Sequence, residues 1–399
     1  MKKRAAVIAA VALATALLLA HSPAEVPLRQ FVEYRAQADY SHFSAAIFAQ
    51  GQMDDAAKLP QDAEIVLYVD ANRINGASRL QSGARCTAAQ AAASYNQDTI
   101  TMDGRFCPDI NDAILDGVVY STIAPTESVF LHKQNGERCY VVNGAASEYL
   151  INPRDYYYQD YLARRISEKL DQFDLSHVFL DDLRPGWSGI TAACGGAPKE
   201  YALPVDYNAA LRDLAQFVYE NVASKVYGNL TRAGSHWDQF AFLDGAMCES
   251  CFTNWGNEVS STQLLSDLST IAKWEKPLYI VPMTAANERF YFTLSLLVAK
   301  SGDFYHFGDN SVYNALPEYS MNIGLPVSEY SCAGNICSRH FERATVTVDL
   351  AARTGSISHS VPTQTPTQTS TPIQTSTPTP TKAWECFDVT GGMMCFQPR

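Results

Sequence analysis

Between about residue 30 and residue 360, short apolar runs alternate with longer stretches whose apolar residues recur every three or four positions. The runs at 45–49, 64–70, 128–132, 177–181, 225–229, 240–244, 277–283 and 303–307 read as strands. The stretches at 156–171, 207–224 and 261–274 read as helices. In "DYLARRISEKL" (160–170), Leu162, Ile166 and Leu170 stand four apart with charges between them, the stripe of a helix laid on a sheet. Eight strands with intervening helices predict an α/β fold, a (β/α)8 TIM barrel over 30–360. A doubly wound open sheet is the alternative, but the chain has no GxGxxG or P-loop to give such a sheet its ligand. Two features strain the barrel count. Only about ten residues separate the runs at 225–229 and 240–244, and 72–127 form a long excursion. The alternating "TVTVDLAARTGSIS" (345–358) predicts a small C-terminal β hairpin covering one side of the barrel.

The flanks differ in composition. Residues 361–382, "VPTQTPTQTSTPIQTSTPTPTK", contain almost no apolar surface to bury and read as a disordered Thr/Pro-rich linker. The remaining 383–399 form a short Cys-containing tail. At the other end Lys2, Lys3 and Arg4 precede an apolar run at 5–20 and then Ser22-Pro23-Ala24, which predicts a signal peptide over 1–24. The run is shorter than the roughly 20 residues of a membrane-spanning helix. The expected product is therefore an exported protein, extracellular or in the cell envelope, with no membrane span in the mature chain.

Export gives the ten cysteines a meaning, since an even count outside the cytosol predicts disulfides. Cys332 with Cys337, Cys386 with Cys395 and Cys86 with Cys107 are the short-range pairs. Cys248 and Cys251 share CxxC spacing, but no second CxxC accompanies them. A disulfide, to each other or to Cys139 and Cys194, is preferred to zinc.

Formal net charge is −12 and no basic stripe breaks it, which excludes nucleic acid as the expected partner. "GWSGI" (186–190) lacks the spacing of a GxSxG nucleophile elbow, and there is no HExxH. No metal site and no cofactor are expected.

In a barrel the chemistry lies at the C-terminal ends of the strands. The predicted ends carry Asp70, the adjacent Asp181 and Asp182, Asn229, Asp244 with Glu249 shortly after it, and His306. Carboxylates thus recur on one face, as glycosidic cleavage requires: one protonates the leaving oxygen and the other attacks the anomeric carbon or activates water. Successive side chains of a strand alternate in direction, so only one of Asp181 and Asp182 enters the mouth. Asp181 shares its side with Phe179 and is the catalytic candidate. Asp182 is expected in the loop, paired with Arg184 or capping the turn. Asp70 and Asn229 are candidates for binding sugar hydroxyls or for fixing loops. Trp187, Trp255 and Tyr305 are candidates for stacking on sugar faces, and His306 reads as a hydrogen-bonded pocket histidine. Asn229-Leu-Thr231 spells a glycosylation sequon, but its place at the mouth argues against modification.

The segments "RDYYYQDYLARRISEKLDQFDLSHVFLDDL", "YGNL", "FLDGAMCES" and "NIGLPVSEY…SRHFERATVTVDL", in that order, resemble the glycoside hydrolase-like family 15. That family consists of TIM-barrel glycosidase-like proteins akin to polygalactosaminidase and α-galactosidase-type barrels. The resemblance covers about 128–350. It implies Asp181 as the nucleophile ending strand four and Glu249 as the acid/base after strand six, with Glu249 holding its proton near neutral pH. The CxxC around Glu249 departs from the family pattern. The function that follows is a secreted glycoside hydrolase acting on a polysaccharide or oligosaccharide by a two-carboxylate, retaining mechanism. The competing readings are a non-catalytic carbohydrate-binding barrel and a metal-dependent envelope hydrolase.

Overall fold

The computed structural model describes residues 28–33, 37, 39–76, 114–115, 118–119, 126–143, 146–184, 186–284, 286–306, 316–359, 385–389 and 392–396. Eight strands close into a barrel: β1 (Arg29–Glu33), β2 (Ala45–Phe48), β3 (Glu64–Asp70), β4 (His177–Asp181), β5 (Lys225–Asn229), β6 (Gly245–Glu249), β7 (Leu278–Val281) and β8 (Phe304–Tyr305). All eight neighbouring pairs are parallel. The fold is a (β/α)8 barrel.

Two-residue alternation sorts each strand into an inner and an outer row. The inner row fills the barrel with Phe31, Ala45, Ile47, Val66, Phe179, Tyr227, Met247, Tyr279, Val281 and Phe304. The outer row, including Val32, Leu67, Val178, Leu180, Val226, Ala246 and Ile280, joins the core shared with the helices. The helices are α1 (Tyr156–Phe173), α2 (Trp187–Cys194), α3 (Pro204–Asn221), α4 (Ser261–Lys273) and α5 (Glu288–Val298). In α1 the Asp155 side chain accepts the Tyr158 amide at the N-terminus, Asp174 ends the helix in a left-handed conformation, and Leu162, Ile166 and Leu170 are buried.

Three parts of the barrel differ from the sequence-based expectation. The run at 128–132 is not a barrel strand. Thr126–Val129 is a 3₁₀ turn, and Phe130 and His132 make only isolated bridges, to Ile151 and Arg138. The first barrel strand is instead Arg29–Glu33, "RQFVE", whose buried Gln30 and Glu33 make it read as surface. The sixth strand is shifted: the apolar 240–244 follow a 3₁₀ turn at Ser235–Phe240, and the strand is Gly245–Glu249. A glycine opening a strand is a poor signal, yet the barrel needs it here. A Cβ at Gly245 would come within 2.7 Å of the Tyr227 ring and 2.9 Å of the Pro277 carbonyl oxygen. The shift also accounts for the short spacing, since a 3₁₀ turn fills the place of a helix between β5 and β6.

The expected hairpin is half of a four-stranded antiparallel sheet: β9 (Ser331–Ala333), β10 (Ile336–His340), β11 (Ala344–Asp349) and β12 (Thr354–His359). It packs on α5 so closely that a Cβ on Gly355 would stand 1.7 Å from Thr293 Oγ1. Disulfides join Cys139 to Cys194, Cys248 to Cys251, and Cys332 to Cys337. In the C-terminal unit, described by itself, Glu385–Val389 and Gly392–Phe396 make an antiparallel hairpin with Cys386 opposite Cys395. The predicted signal peptide, the 361–382 linker and the Cys86/Cys107 pair lie outside the described residues. Among the described residues no helix is long and apolar enough to cross a membrane.

Candidate active site

The inner row that packs the barrel continues at its C-terminal rim as polar groups. Phe179 is inner, so Asp181, two residues on, faces the same way. The same parity from Val66 and Tyr68 sets Asp70, from Tyr227 sets Asn229, and from Met247 sets Glu249. Asp70 and Asp181 are direct partners in the β3–β4 register.

One side chain joins the two candidate catalytic groups. The Asn229 Nδ2 donates to Asp181 Oδ1 at 2.8 Å and to Glu249 Oε2 at 2.7 Å. Because one nitrogen reaches both, those two oxygens lie within about 5.5 Å of each other. Asp181 is fixed from two further sides: its Oδ1 accepts the Asp182 amide at 2.7 Å, and its Oδ2 accepts the Tyr68 hydroxyl at 2.5 Å. A carboxylate accepting three donors is held in one orientation. Glu249 is treated differently. Burial, then the neighbouring Asp181 charge, push its carboxyl from the ordinary 4.5 up to about 7. The Cys248–Cys251 disulfide brackets this residue.

The other expected site residues divide. Asp70 Oδ1 accepts the amides of Asn72 and Arg73, each at 3.0 Å, and so fixes the turn after β3. Burial and then the charges of Asp182 and Asp181 push its carboxyl well up. Asp182 has a left-handed backbone (φ 52°), and its partner is Arg73 at 2.7 Å rather than the expected Arg184. Trp187 opens α2 with its ring 6.1 Å from that of Tyr207, while Trp255, 61% exposed, stands on the turn after β6. His306 follows β8 on the inner parity with its ring 5.1 Å from Phe31.

Two expected residues are not brought to the rim. With β6 shifted, Asp244 precedes the strand instead of ending it, and its carboxylate accepts the Val226 amide at the N-terminal end of the barrel. Tyr305 lies on the outer parity, packed against Phe292 and Tyr319 and 1% exposed, so no sugar can stack on it. Sequence reasoning missed Tyr68 and Arg73. Tyr68 was available by alternation, two residues before Asp70. Nothing in the sequence pairs Arg73 with Asp182. Glu33, buried at the end of β1 on the parity of Phe31, was missed with its strand.

Non-glycine residues in the left-handed region concentrate here: Asp182, Thr231, Ser250, Phe252, Trp255 and Met283 follow β4 to β7. Such conformations cost about 1 kcal/mol or more each and gather where loops are shaped for a ligand. Two clefts open among these loops, of about 880 and 670 Å³, and both are lined by Arg184, Gly186, Thr231 and Trp255. Their walls include Asp182 and Ser250, the immediate neighbours of Asp181 and Glu249, and not the pair itself. Among the described residues no group of three or more His, Cys, Asp or Glu is placed to hold a metal ion.

The raised Glu249 carboxyl has a consequence for stability. The folded protein binds this proton more tightly than the unfolded chain, so the contribution of Glu249 to stability is fully present below pH 4.5 and is lost as pH rises through about 7. Glu249→Gln removes that loss. It is expected to stabilise the fold at pH 8 by about 1–2 kcal/mol, allowing for partial solvent contact, with little change at pH 4. Urea unfolding at the two pH values measures it, and an equal shift at both contradicts the assignment.

No known family's sequence profile matches the chain, and no curated protein matches it in sequence. Solved structures are similar in fold. A cycloisomaltooligosaccharide glucanotransferase from Paenibacillus sp. is 10% identical with a TM-score of 0.38, over 66% of this chain and 39% of that one. An α-galactosidase from Thermus thermophilus, in complex with p-nitrophenyl α-D-galactopyranoside, is 10% identical with a TM-score of 0.44, over 82% and 67%. An α-amylase from Malbranchea cinnamomea is 8% identical with a TM-score of 0.42, over 75% and 65%. The chain thus spans between 39% and 67% of the lengths of these three. At such identities neither substrate nor mechanism passes from them to this protein.

Proposed function

We propose that this protein is a glycoside hydrolase of the glycoside hydrolase-like family 15 type, exported to act on a polysaccharide, with Asp181 as nucleophile and Glu249 as acid/base. The observation that carries the reading is the Asn229 amide shared by the two carboxyl groups. With both bonds at one nitrogen, the nearest oxygens of the two groups are no more than about 5.5 Å apart, which supports the about 5–5.5 Å separation that goes with retention over the about 6.5–9.5 Å that leaves room for an inverting water. The difference between the two groups supports the same roles. Asp181 is oriented by three donors, and Glu249 holds its proton up to about pH 7.

The chemistry follows in two steps. Asp181 attacks the anomeric carbon while the Glu249 proton passes to the glycosidic oxygen, so the C–O bond breaks and the alcohol leaves. Glu249, now a carboxylate, takes a proton from water as that water attacks the same carbon and displaces Asp181, which restores both groups. Asn229 donates to both carboxyl groups throughout, and Tyr68 keeps the second oxygen of Asp181 from turning away from the sugar.

Mechanism-based trapping tests this directly. Incubation with a panel of 2-deoxy-2-fluoro glycosyl fluorides is expected to leave one glycosyl adduct on the peptide carrying Asp181, read by mass spectrometry. An adduct on another residue reassigns the nucleophile. Hydrolysis with inversion and no adduct overturns retention, and no release of reducing sugar from any polymer the protein binds returns it to the binding-barrel reading.

A further inference from the structure

The two clefts beside the candidate catalytic pair are lined by five cations and one carboxylate. The cations are Arg73, Lys133, Arg184, Arg212 and Arg232, and the carboxylate is Asp182. In a chain of net charge −12 this local excess runs against the whole molecule. Four of the cations have acidic partners: Arg73 with Asp182, Lys133 with Glu137, Arg212 with Asp213 and Arg232 with Asp267. Arg184 has none among the described residues. It stands three positions after Asp181, is shared by both clefts, and is buried enough to weaken its hold on its proton. Arg184 is half-buried, and drawing part of a guanidinium out of water without an acidic partner costs free energy that a bound anion would offset.

The ground around Arg184 suits an anion. Two residues on, Gly186 caps the start of α2 and offers no side-chain acceptor to the first-turn amides, so the positive end of that helix opens beside the guanidinium. Gly186 and Trp187 line the larger cleft with Arg184, and Trp255 is common to both. Asn208, Thr231 and Asn254 add neutral hydrogen-bonding groups of the kind that pair with hydroxyls. Indole faces, neutral amides and one unpaired fork of N–H donors are together the recognition set of a sugar that carries an oxyanion.

We infer that Arg184 anchors an anion subsite, and that the polysaccharide taken by this site is acidic, bearing uronate carboxylates or sulfate esters. The inference rests on the glycosidase reading and names its substrate class. Binding is measured on full-length Glu249→Gln protein, so that no polymer is consumed. The probes are polygalacturonate, alginate and hyaluronate, each with its carboxyl-reduced neutral counterpart, and a sulfated galactan. At low salt at least one acidic polymer is expected to bind about 10-fold or more tighter than its neutral counterpart. Adding Arg184→Gln should remove about 10–100-fold of that affinity and leave neutral binding unchanged, with Arg184→Lys recovering part.

Carboxyl reduction abolishing the preference identifies uronate, and preference for the sulfated galactan alone identifies sulfate. Equal affinity for acidic and neutral polymers, binding to no acidic polymer, or equal weakening of both by Arg184→Gln each overturns the inference. Failure of the glycosidase reading looks different. Wild-type protein that binds acidic polymer through Arg184 but releases no reducing ends supports the subsite and removes the hydrolase. Wild-type protein that cleaves only neutral polymer, indifferent to Arg184→Gln, removes the subsite and keeps the hydrolase.

Discussion

Asp181→Asn is expected to lower turnover by about 10⁴-fold or more, the scale of losing a nucleophile from a cooperating pair. The fold should be intact, because the replacement can keep the contacts. An amide oxygen in place of Oδ1 still accepts from Asn229 and from the Asp182 amide, and the new NH₂ can donate to the Tyr68 hydroxyl oxygen. Glu249→Gln should cost about 10²–10⁴-fold on natural glycosides. On aryl glycosides with good leaving groups the cost of the first step should shrink, since such a leaving group needs no proton. In wild-type protein the alkaline limb of kcat/KM should lie near pH 7, where Glu249 gives up its proton. Asp182→Asn should lose far less, since Asp182 lies outside the inner row and is engaged with Arg73. Steady-state kinetics of the three variants decides. A dead Asp182→Asn beside an active Asp181→Asn reverses the strand faces, and activity in both Asp181→Asn and Glu249→Gln removes the two-carboxylate mechanism.

The largest effect on stability is expected far from the mouth. Arg339, on β10 and 6% exposed, reaches the C-terminal end of α5. Its Nη1 donates to the carbonyls of Leu296, Leu297 and Ala299 at 3.3, 3.1 and 2.7 Å, and its Nε donates to the carbonyl of Ser328 at 2.9 Å. The last carbonyls of a helix have no partners within it, and a cation there also meets the negative end of the helix dipole. Arg339→Met keeps much of the volume and removes every donor, leaving those carbonyls buried and unpaired. The expected cost is about 3–5 kcal/mol, or roughly 5–15 °C in melting temperature for a domain of this size. Below its melting point the variant should turn over normally, because no proposed catalytic group is touched. Arg339→Lys, with one ammonium in place of the fork, should recover only part. A melting temperature within about a degree of wild type would show that the four-stranded sheet is held by its apolar contacts alone.

Local pattern carried a large part of this protein. Strands β2, β3, β4, β5, β7 and β8 were legible as apolar runs, because a barrel strand buries both faces and its composition says so. The direction of Asp181 was legible as well, since the two-residue repeat ties it to Phe179 whatever the strand pairs with. Other features were decided only by chain segments meeting in space. Buried Gln30 and Glu33 hid β1, because the sequence does not reveal which polar residues a closed barrel will enclose. Gly245 hid the start of β6, because its reason for being glycine is the Tyr227 ring and the Pro277 carbonyl across the sheet. That shift carried Asp244 to the far end of the barrel and set Glu249 on the strand itself. Asn229 between two carboxyl groups and Arg73 on Asp182 depend on contacts between residues 20 to 109 positions apart along the chain, and Arg184 is left without an acid by the same long-range placement. Periodicity reports burial within one element. It holds no information on which charges from different elements come to share a few ångströms, and in this protein that sharing defines the candidate site.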